Sequence, residues 1–250
     1  MPFGVGMGRD AQEETADRTW KKPMTAVVLQ ARLDSARLAR KALLPLGGQP
    51  VVYRVMEALK RVPVDGHILA CPEDCVSVFA SFAERAGFEI IGGSKDDVLA
   101  RYCAAIKKFA IDRLIRATGD NPFVFADAAL ALERSADALG ADYAGYAGLP
   151  YGAGVEAVSA SALLQAERDA NAPEEREHVC PYLYRRPELF LLHRPLAPLK
   201  WRGSNLRVTI DTAEDYEWAK RLFAALDSAG GRRSDGEAVI AAYRRAAANS

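Results

Sequence analysis

Residues 25–41, TAVVLQARLDSARLARK, decide the fold of this chain. The first seven, Thr25 to Ala31, are mostly apolar and β-branched, which is typical of a strand buried on both faces. The next ten carry four cations and one acid. In open parallel sheets, ligands bind beyond the carboxyl ends of the strands. The stretch therefore predicts an α/β fold whose ligand site begins in this loop.

Working outward, short β-branched runs alternate with amphipathic stretches, which predicts a Rossmann-like, mostly parallel central sheet with helices on both faces. Strands are expected at 25–31, 66–71, 88–91, 112–118, 142–146, 151–160 and 206–210. Helices are expected from about 50, near 75–86, from 94, near 126–139, at 161–170, at 174–186 with an interruption at Pro181, at 213–228 and near 234–248.

The length of 250 residues suits a single large α/β domain. We expect this domain to span 24–250, with a less regular insertion around 148–205. Residues 1–23 are rich in Gly, Glu and Arg and lack an apolar signal-peptide region, so we expect a disordered tail. Met24 is then a candidate functional start.

Net charge and the length of the apolar runs give no reason to expect a nucleic-acid or membrane partner. Lys and Arg total 33, as do Asp and Glu, so zero net charge gives no general reason to expect nucleic-acid binding. No apolar run approaches the roughly 18 residues that a membrane helix needs. The four cysteines lack zinc-site spacing, and we expect them to be reduced core residues. A cytoplasmic location follows.

The loop after the first strand is the first candidate site. It contains Arg32, Arg37, Arg40 and Lys41. Arginine offers bidentate forks to phosphate oxygens and lysine a compact charge, so the cluster suits a triphosphate. A solvated basic loop is the alternative, and charge alone does not separate the two.

Two aspartates favour the triphosphate. Asp120 and Asp211 each follow an apolar run, so both are expected at the carboxyl edge of the sheet. Mg²⁺ is commonly held by one or two carboxylates with phosphates and waters. The alternative is that each caps a helix. For Asp211 this alternative is weaker, because Thr212 and Asp215 already form a T-x-x-D capping box.

Six blocks carry a more specific resemblance, which covers about residues 24–225. They are QARLDSARLARKALLPLGGQPVVYRV, KDDVLARY, RATGDNP, VEAVS, REHVCPYLYRRPELF and LRVTIDTAEDYEWA. In this order they resemble the spore-coat polysaccharide cytidylyltransferase-like family, relatives of CMP-Kdo and acylneuraminate cytidylyltransferases. The resemblance implies a nucleotide-diphospho-sugar transferase fold. It also implies transfer of CMP from CTP to a sugar acid or related small acceptor.

The resemblance also implies roles for individual residues. Arg32, Arg37 and Lys41 are the catalytic candidates that bind the triphosphate, and Asp120 and Asp211 the ligands of Mg²⁺. The wider nucleotide-binding set is Gln30, Ala31, Arg32, Arg37, Arg40, Lys41, Ser94 and Arg101, the last two near the cytosine. For Arg101 the alternative is an i,i+4 surface pair with Asp97.

Two departures from the family pattern stand out. The family's phosphate loop has R-L-P-G-K, where this chain has Arg37-Leu38-Ala39-Arg40-Lys41, so Arg40 replaces a glycine that tolerates positive φ. Gly154 stands where the family has an aspartate two residues before Glu156. Glu156 and His178 are the acceptor-site candidates. The alternatives are a solvent-facing strand residue and a structural histidine.

Other functions remain as alternatives. A glycosyltransferase of the same fold that used a metal would typically carry D-x-D, which the chain lacks. The altered phosphate loop leaves open a degenerate, non-catalytic nucleotide-binding protein. We also predict a homodimer, because the segment 178–205 contains aromatic residues that look exposed. They are Tyr182, Tyr184, Phe190 and Trp201.

Overall fold

The computed structural model describes residues 23–35, 37–230 and 233–248. The predicted tail, apart from Pro23, lies outside the described residues. The first half of the chain forms these elements: β1 Thr25–Gln30, β2 Pro45–Leu46, β3 Gln49–Pro50, α1 Val51–Leu59, β4 Gly66–Pro72, α2 Val76–Ala86, β5 Glu89–Gly93, α3 Val98–Phe109 and β6 Arg113–Thr118. The second half forms α4 Ala126–Leu139, β7 Tyr143–Gly145, β8 Glu156–Ser159, α5 Ala160–Asp169, α6 Pro173–His178, α7 Pro181–Tyr184, β9 Leu192–His193, α8 Ala213–Ser228 and α9 Gly236–Ala248.

Seven strands form one sheet in the order β5-β4-β1-β6-β8-β7-β9. The strands β5, β4, β1 and β6 pair in parallel, and β8 alone runs antiparallel to its neighbours β6 and β7. β1 lies at the centre of the parallel half, where Val28 is paired with Ile68 on one side and Arg116 on the other. The mostly parallel sheet confirms the predicted fold class.

Alternate residues of β1 face two separate cores. Val27 and Leu29 pack in the core that α1, α2, α4, α8 and α9 cover, whereas Ala26 and Val28 pack under α3, α5 and α7. All four side chains are fully buried. Burial of both faces removes apolar surface from water on either side of the sheet, which is the main driving force for this layered fold. Helices therefore cover both faces, as predicted.

The predicted start of α8 agrees with the structure, whereas the predicted start of α3 does not. α8 begins with the expected capping box, in which Thr212 and Asp215 each accept the other's backbone N–H. α3 begins later than predicted, because Asp97 is its N-cap and accepts the N–H of Ala100 at 2.9 Å. Ser94 Oγ accepts only the N–H of Asp97, at 3.1 Å, so it belongs to the preceding turn.

The predicted strands at 206–210 and 151–160 need correction. Residues 206–210 are not a strand: apart from one bridge between Tyr151 and Arg207, their amides donate to loops. Val208 N–H donates to Tyr151 O at 2.8 Å, and Ile210 N–H to Asp120 O at 2.9 Å. The other predicted strand shortens to β8, because residues 151–155 form a turn over the 206–210 segment.

The burial of the cysteines and of the aromatic residues in the segment 178–205 can be compared with the predictions. All four cysteines are free and buried, as predicted, and burial raises the pKa of the Cys71 thiol to about 12. Tyr182, Phe190 and Trp201 are also buried within the chain, so they do not supply the exposed rings on which the homodimer prediction relied. No helix in the described ranges is both long and apolar enough to cross a bilayer.

Candidate active site

The carboxyl ends of the central strands β1 and β6 are joined to the 206–210 segment by backbone hydrogen bonds. Gly119 N–H, just after β6, donates to Gln30 O at the end of β1 at 2.8 Å, and Ile210 N–H donates to Asp120 O. These bonds bring Asp120 and Asp211 to the same edge although 90 residues of chain lie between them. The prediction that both carboxylates lie at this edge is confirmed.

Lys41 lies between the two aspartates. Its Nζ donates to Asp120 Oδ2 at 2.8 Å, to Asp211 Oδ1 at 2.9 Å and to Ile210 O at 2.9 Å. The lysine side chain is 16% exposed. A cation at this position is therefore held by one oxygen of each carboxylate.

Asp211 contacts three cations within the described part of the chain. Arg37 Nη2 lies 2.9 Å from Oδ1 and Arg207 Nη2 lies 2.7 Å from Oδ2. Burial by itself would raise the pKa of Asp211, but Lys41, Arg37 and Arg207 together outweigh it and hold the pKa below its ordinary value. Asp211 is thus an anion held in place in a half-enclosed site.

A cavity of about 620 Å³ opens at this edge of the sheet. Its volume is within the usual range for small-molecule sites, which is roughly 300–1,000 Å³. Nine residues predicted for the site line it: Gln30, Ala31, Arg32, Arg37, Lys41, Arg101, Asp120, His178 and Asp211. Three others, Arg40, Ser94 and Glu156, do not line it.

Arg40 adopts a left-handed conformation, with φ 50° and ψ 31°. This is the position at which the related pattern has glycine, so the loop keeps a backbone shape that glycine adopts without strain. An L-residue held there costs roughly 1–2 kcal/mol. Leu43 N–H donates to Arg40 O at 2.9 Å, which fixes the turn that presents Lys41.

Arg101 lines the cavity from α3, and it does not form the alternative ion pair with Asp97. Asp97 Oδ2 pairs instead with Arg176 of α6, whose Nε lies 2.7 Å away. The Arg101 guanidinium donates to the backbone oxygens of Ser94 and Lys95, and its buried Nε has no partner in the described structure. Burial lowers the pKa of Arg101. The i,i+4 alternative for Arg101 is therefore wrong.

Glu156 is neither a cavity-lining residue nor an unpaired surface residue. It forms an ion pair with Arg116 on the neighbouring strand β6, and Tyr143 Oη donates to Glu156 Oε1 at 2.9 Å. Arg116 also donates to Gln30 Oε1 at 3.1 Å and does line the cavity. Burial opposes the charge on Arg116, but Glu156 outweighs it and raises its pKa. Glu156 therefore acts on the cavity indirectly, by pairing with the cavity-lining Arg116.

Sequence analysis missed Arg116 and Arg207. Both had a signal in the sequence, because each is a charged residue within a strand-like run, RLIRAT and LRVTI. A charge inside such a run is costly to bury unless it is paired. The two arginines pair with Glu156 and Asp211 respectively, and neither partner is visible from spacing alone.

The far wall of the cavity comes from α6 and from the loop before β8. His178 and Glu177 line it from the end of α6, and Glu177 lies 3.6 Å from Arg32 across the opening. Gly152 has φ +92°, and a Cβ there would come within 2.6 Å of Thr209 N. Glycine thus allows this loop to pack directly on the segment that leads to Asp211.

The carboxylates of Asp120 and Asp211 fit a hard divalent cation whose other ligands are phosphates and waters. Among the residues with described positions, no group of three or more His, Cys, Asp and Glu side chains surrounds a common point. Mg²⁺, however, keeps several waters and needs only one or two carboxylates when phosphates complete its shell. Asp120 and Asp211, both within bonding distance of one nitrogen, match that requirement.

Comparison with solved structures defines the class of fold. A cytidylyltransferase from Leptospira borgpetersenii superposes with a TM-score of 0.80 at 24% identity, covering 91% of this chain and 95% of that one. The sheet order, with its charged cavity at the carboxyl edge of the parallel strands, is therefore the fold of nucleotidyltransferases.

The sequence comparison gives the family. A family profile described as cytidylyltransferase matches residues 26–242, and the chain belongs to the cytidylyltransferase family. The spore coat polysaccharide biosynthesis protein SpsF of Bacillus subtilis is 32% identical over 203 residues, 78% of this chain and 85% of that protein. The 3-deoxy-manno-octulosonate cytidylyltransferase of Aeromonas salmonicida is 35% identical over 104 residues, 39% of this chain and 40% of that protein.

Proposed function

We propose that this protein transfers CMP from CTP to a hydroxyl group of a sugar acid or similar small acid and releases pyrophosphate. The observation that carries the proposal is the placement of Lys41 between Asp120 and Asp211 inside the cavity. Family membership supports the nucleotide, and the 3-deoxy-manno-octulosonate relative supports the acceptor class. The spore coat relative supports a role in the synthesis of surface polysaccharide or glycoconjugate precursors. The proposed location of this synthesis is the cytoplasm.

In this reaction the acceptor oxygen forms a bond to the α-phosphorus of CTP. The bond from that phosphorus to the α–β bridging oxygen breaks, and pyrophosphate leaves with the electron pair while the acceptor loses its proton. Such transfers depend mainly on positioning and on neutralising the phosphate charge. No single residue of the cavity is assigned as an obligatory base.

The basic residues of the loop after β1 would bind the triphosphate. The side chains of Arg32 and Arg37 are 53% and 65% exposed, so both have room to turn toward a ligand, and Arg37 would exchange its bond to Asp211 for bonds to phosphate oxygens. Asp120 and Asp211 would hold Mg²⁺ against the phosphates. When bound, Mg²⁺ neutralises phosphate charge and lowers the pKa of a coordinated hydroxyl.

The acceptor would bind between β6 and α6. Arg116 presents a mostly buried guanidinium there, and His178 and Glu177, which also line the cavity, offer hydrogen-bonding groups. A cation at the cavity floor suits the carboxylate of a sugar acid. Glu156 and Tyr143 would then orient Arg116 rather than touch the acceptor.

Pyrophosphate release from CTP, ATP, GTP and UTP, each with Mg²⁺ and a panel of sugar acids, tests this function. We expect release from CTP with at least one sugar acid and background release from the other three nucleotides. Equal release from all four nucleotides would refute cytidine specificity. Nucleotide binding without release in every combination would favour the non-catalytic alternative.

A further inference from the structure

Lys41 already occupies the place that a metal ion would take. Its Nζ bonds to one oxygen of Asp120 and one of Asp211, and a third bond to Ile210 O completes three acceptors for its three protons. The lysine is mostly buried, whereas Arg32 and Arg37 of the same loop are mostly exposed. It is therefore a fixed part of the nucleotide-free site.

Lys41 Nζ and Mg²⁺ cannot both occupy the position between these two oxygens. Mg²⁺ binds oxygen at about 2.0–2.1 Å and demands near-octahedral ligands. A protonated amine within hydrogen-bond distance of the same two oxygens blocks that shell and repels the ion strongly in a half-buried site. The metal can take that position only when the ammonium leaves, and Arg37, which bonds to the same oxygen of Asp211, must then share that oxygen or turn away.

A nucleotide offers Lys41 a new set of acceptors. The lysine stem is long and flexible, and phosphate oxygens are strong acceptors for an ammonium. The cavity that Lys41 lines also contains Arg32 and Arg37, so a triphosphate bound there would lie within its reach. The same triphosphate supplies the metal with the ligands that two carboxylates lack.

We infer that Lys41 is a built-in surrogate cation that makes metal binding conditional on nucleotide binding. Without CTP it neutralises Asp120, shares the neutralisation of Asp211 with Arg37 and Arg207, and excludes Mg²⁺. With CTP it turns to the phosphates, and the carboxylates become available to the metal. The inference rests on the proposed function, because it assumes that this cavity takes a triphosphate.

Binding of Mn²⁺ to the nucleotide-free protein tests the inference without any turnover. Free Mn²⁺ is followed by its electron paramagnetic resonance signal in wild type, Lys41→Met, Lys41→Gln and Lys41→Arg. We expect both neutral variants to bind Mn²⁺ about 10-fold or more tightly than wild type, a typical size for coupling between two ligands. Lys41→Arg retains the charge and should bind as weakly as wild type.

Two controls assign the gain to this site. Lys107→Met removes a lysine from an exposed ion pair with Glu167 on the outer surface and should leave Mn²⁺ binding unchanged. Adding Asp120→Asn to Lys41→Met should abolish the gain. Thermal unfolding in EDTA checks that each variant is folded.

Several outcomes would overturn the inference. Micromolar Mn²⁺ binding by the nucleotide-free wild type would do so without any variant, as would unchanged affinity in a folded neutral variant. A gain that survives Asp120→Asn would also contradict it. Pyrophosphate release from CTP is measured on the wild type in parallel. Release without a Lys41 effect refutes only this inference, and a Lys41 effect without release refutes only the proposed reaction.

Discussion

At the scale of single residues, Asp120 and Asp211 contribute charge at fixed positions. Asp120→Asn and Asp211→Asn keep the side-chain volume and remove that charge. We expect each to lower turnover with CTP and Mg²⁺ by about 100-fold or more, the scale seen when a group that stabilises transition-state charge is lost. Steady-state pyrophosphate release measures the effect.

We expect Asp211→Asn to lower the free energy of unfolding more than Asp120→Asn does. Asp211→Asn leaves Lys41, Arg37 and Arg207 with less compensating charge, whereas Asp120→Asn affects Lys41 alone. Asp137→Asn is the matched control, because its side chain is 71% exposed on the outer surface. Near wild-type turnover at limiting Mg²⁺ in either site variant would show that the residue is not a metal ligand.

Arg40 permits a second test at this scale. Arg40→Gly and Arg40→Ala both remove the charge, but only glycine relieves the positive φ of 50°. We expect the glycine variant to be more stable than the alanine variant by about 1 kcal/mol, measured by thermal unfolding without nucleotide.

The affinity of the same pair for CTP separates charge from backbone shape. Arg40 directly precedes Lys41 in the phosphate loop. We predict that loss of its charge weakens CTP binding by about 1–3 kcal/mol, the size of a charge-assisted contact. The loss should be equal in both variants. Calorimetric titration measures it. Tighter CTP binding by both variants would mean that the arginine side chain blocks the phosphate site, which favours the non-catalytic alternative, whereas tighter binding by Arg40→Gly alone would point to the strained backbone.

At the scale of elements, the N-terminus of α8 both stabilises the helix and positions Asp211. Asp215 Oδ2 accepts the backbone N–H of Asp211 at 2.9 Å as well as that of Thr212 at 3.1 Å. Thr212→Ala removes the reciprocal bond, which the backbone N–H of Asp215 donates to Thr212 Oγ1 at 3.2 Å. We expect it to cost about 1 kcal/mol of stability, or roughly 2–4 °C in melting temperature.

The same change should also weaken metal-dependent function. Loosening the cap frees the backbone at Asp211, so a higher Mg²⁺ concentration should be needed for half-maximal turnover. Ser159→Ala is the matched control, because Ser159 caps α5 through the N–H of Ala162 at a site outside the cavity lining. An equal Mg²⁺ shift in both variants would contradict the link between cap and carboxylate.

Helices were easier to predict than the last strand, for a physical reason. The predicted 126–139 and 213–228 coincide with α4 and α8, because one apolar face and local caps determine a helix. The run LRVTI has the composition of a strand, but its amides donate to Tyr151 O and Asp120 O in two different loops. A strand needs a continuous partner, and no local pattern specifies one.

At the scale of the whole molecule, binding energy at the cavity should appear as global stability. CTP with Mg²⁺ should raise the melting temperature more than ATP, GTP or UTP does, because a ligand that binds only the native state stabilises it by mass action. At a ligand concentration of about 100 times Kd the gain is about 2.7 kcal/mol. Differential scanning fluorimetry measures the shift, and equal shifts with all four nucleotides would contradict cytidine recognition.

The homodimer stays a prediction, now based on other side chains of the segment 178–205. Tyr182, Phe190 and Trp201 pack inside the chain. The same region instead exposes more than half of four leucine side chains: Leu189, Leu191, Leu196 and Leu199. Sedimentation equilibrium at micromolar concentration measures the mass in solution, and a monomer would contradict the prediction.

The sequence by itself determined the layered α/β fold, most helix bounds and the carboxyl edge on which Asp120 and Asp211 lie. These features follow from local periodicity and from the rule that parallel strands place their carboxyl ends at one edge. Only the tertiary structure decided which charges meet. Side-chain contacts join separate segments or strands in three places. Lys41 bonds to both aspartates, Arg207 pairs with Asp211, and Glu156 pairs with Arg116. Such pairings depend on strand register and loop packing, because distance in space, and not distance along the chain, sets the energy between charges.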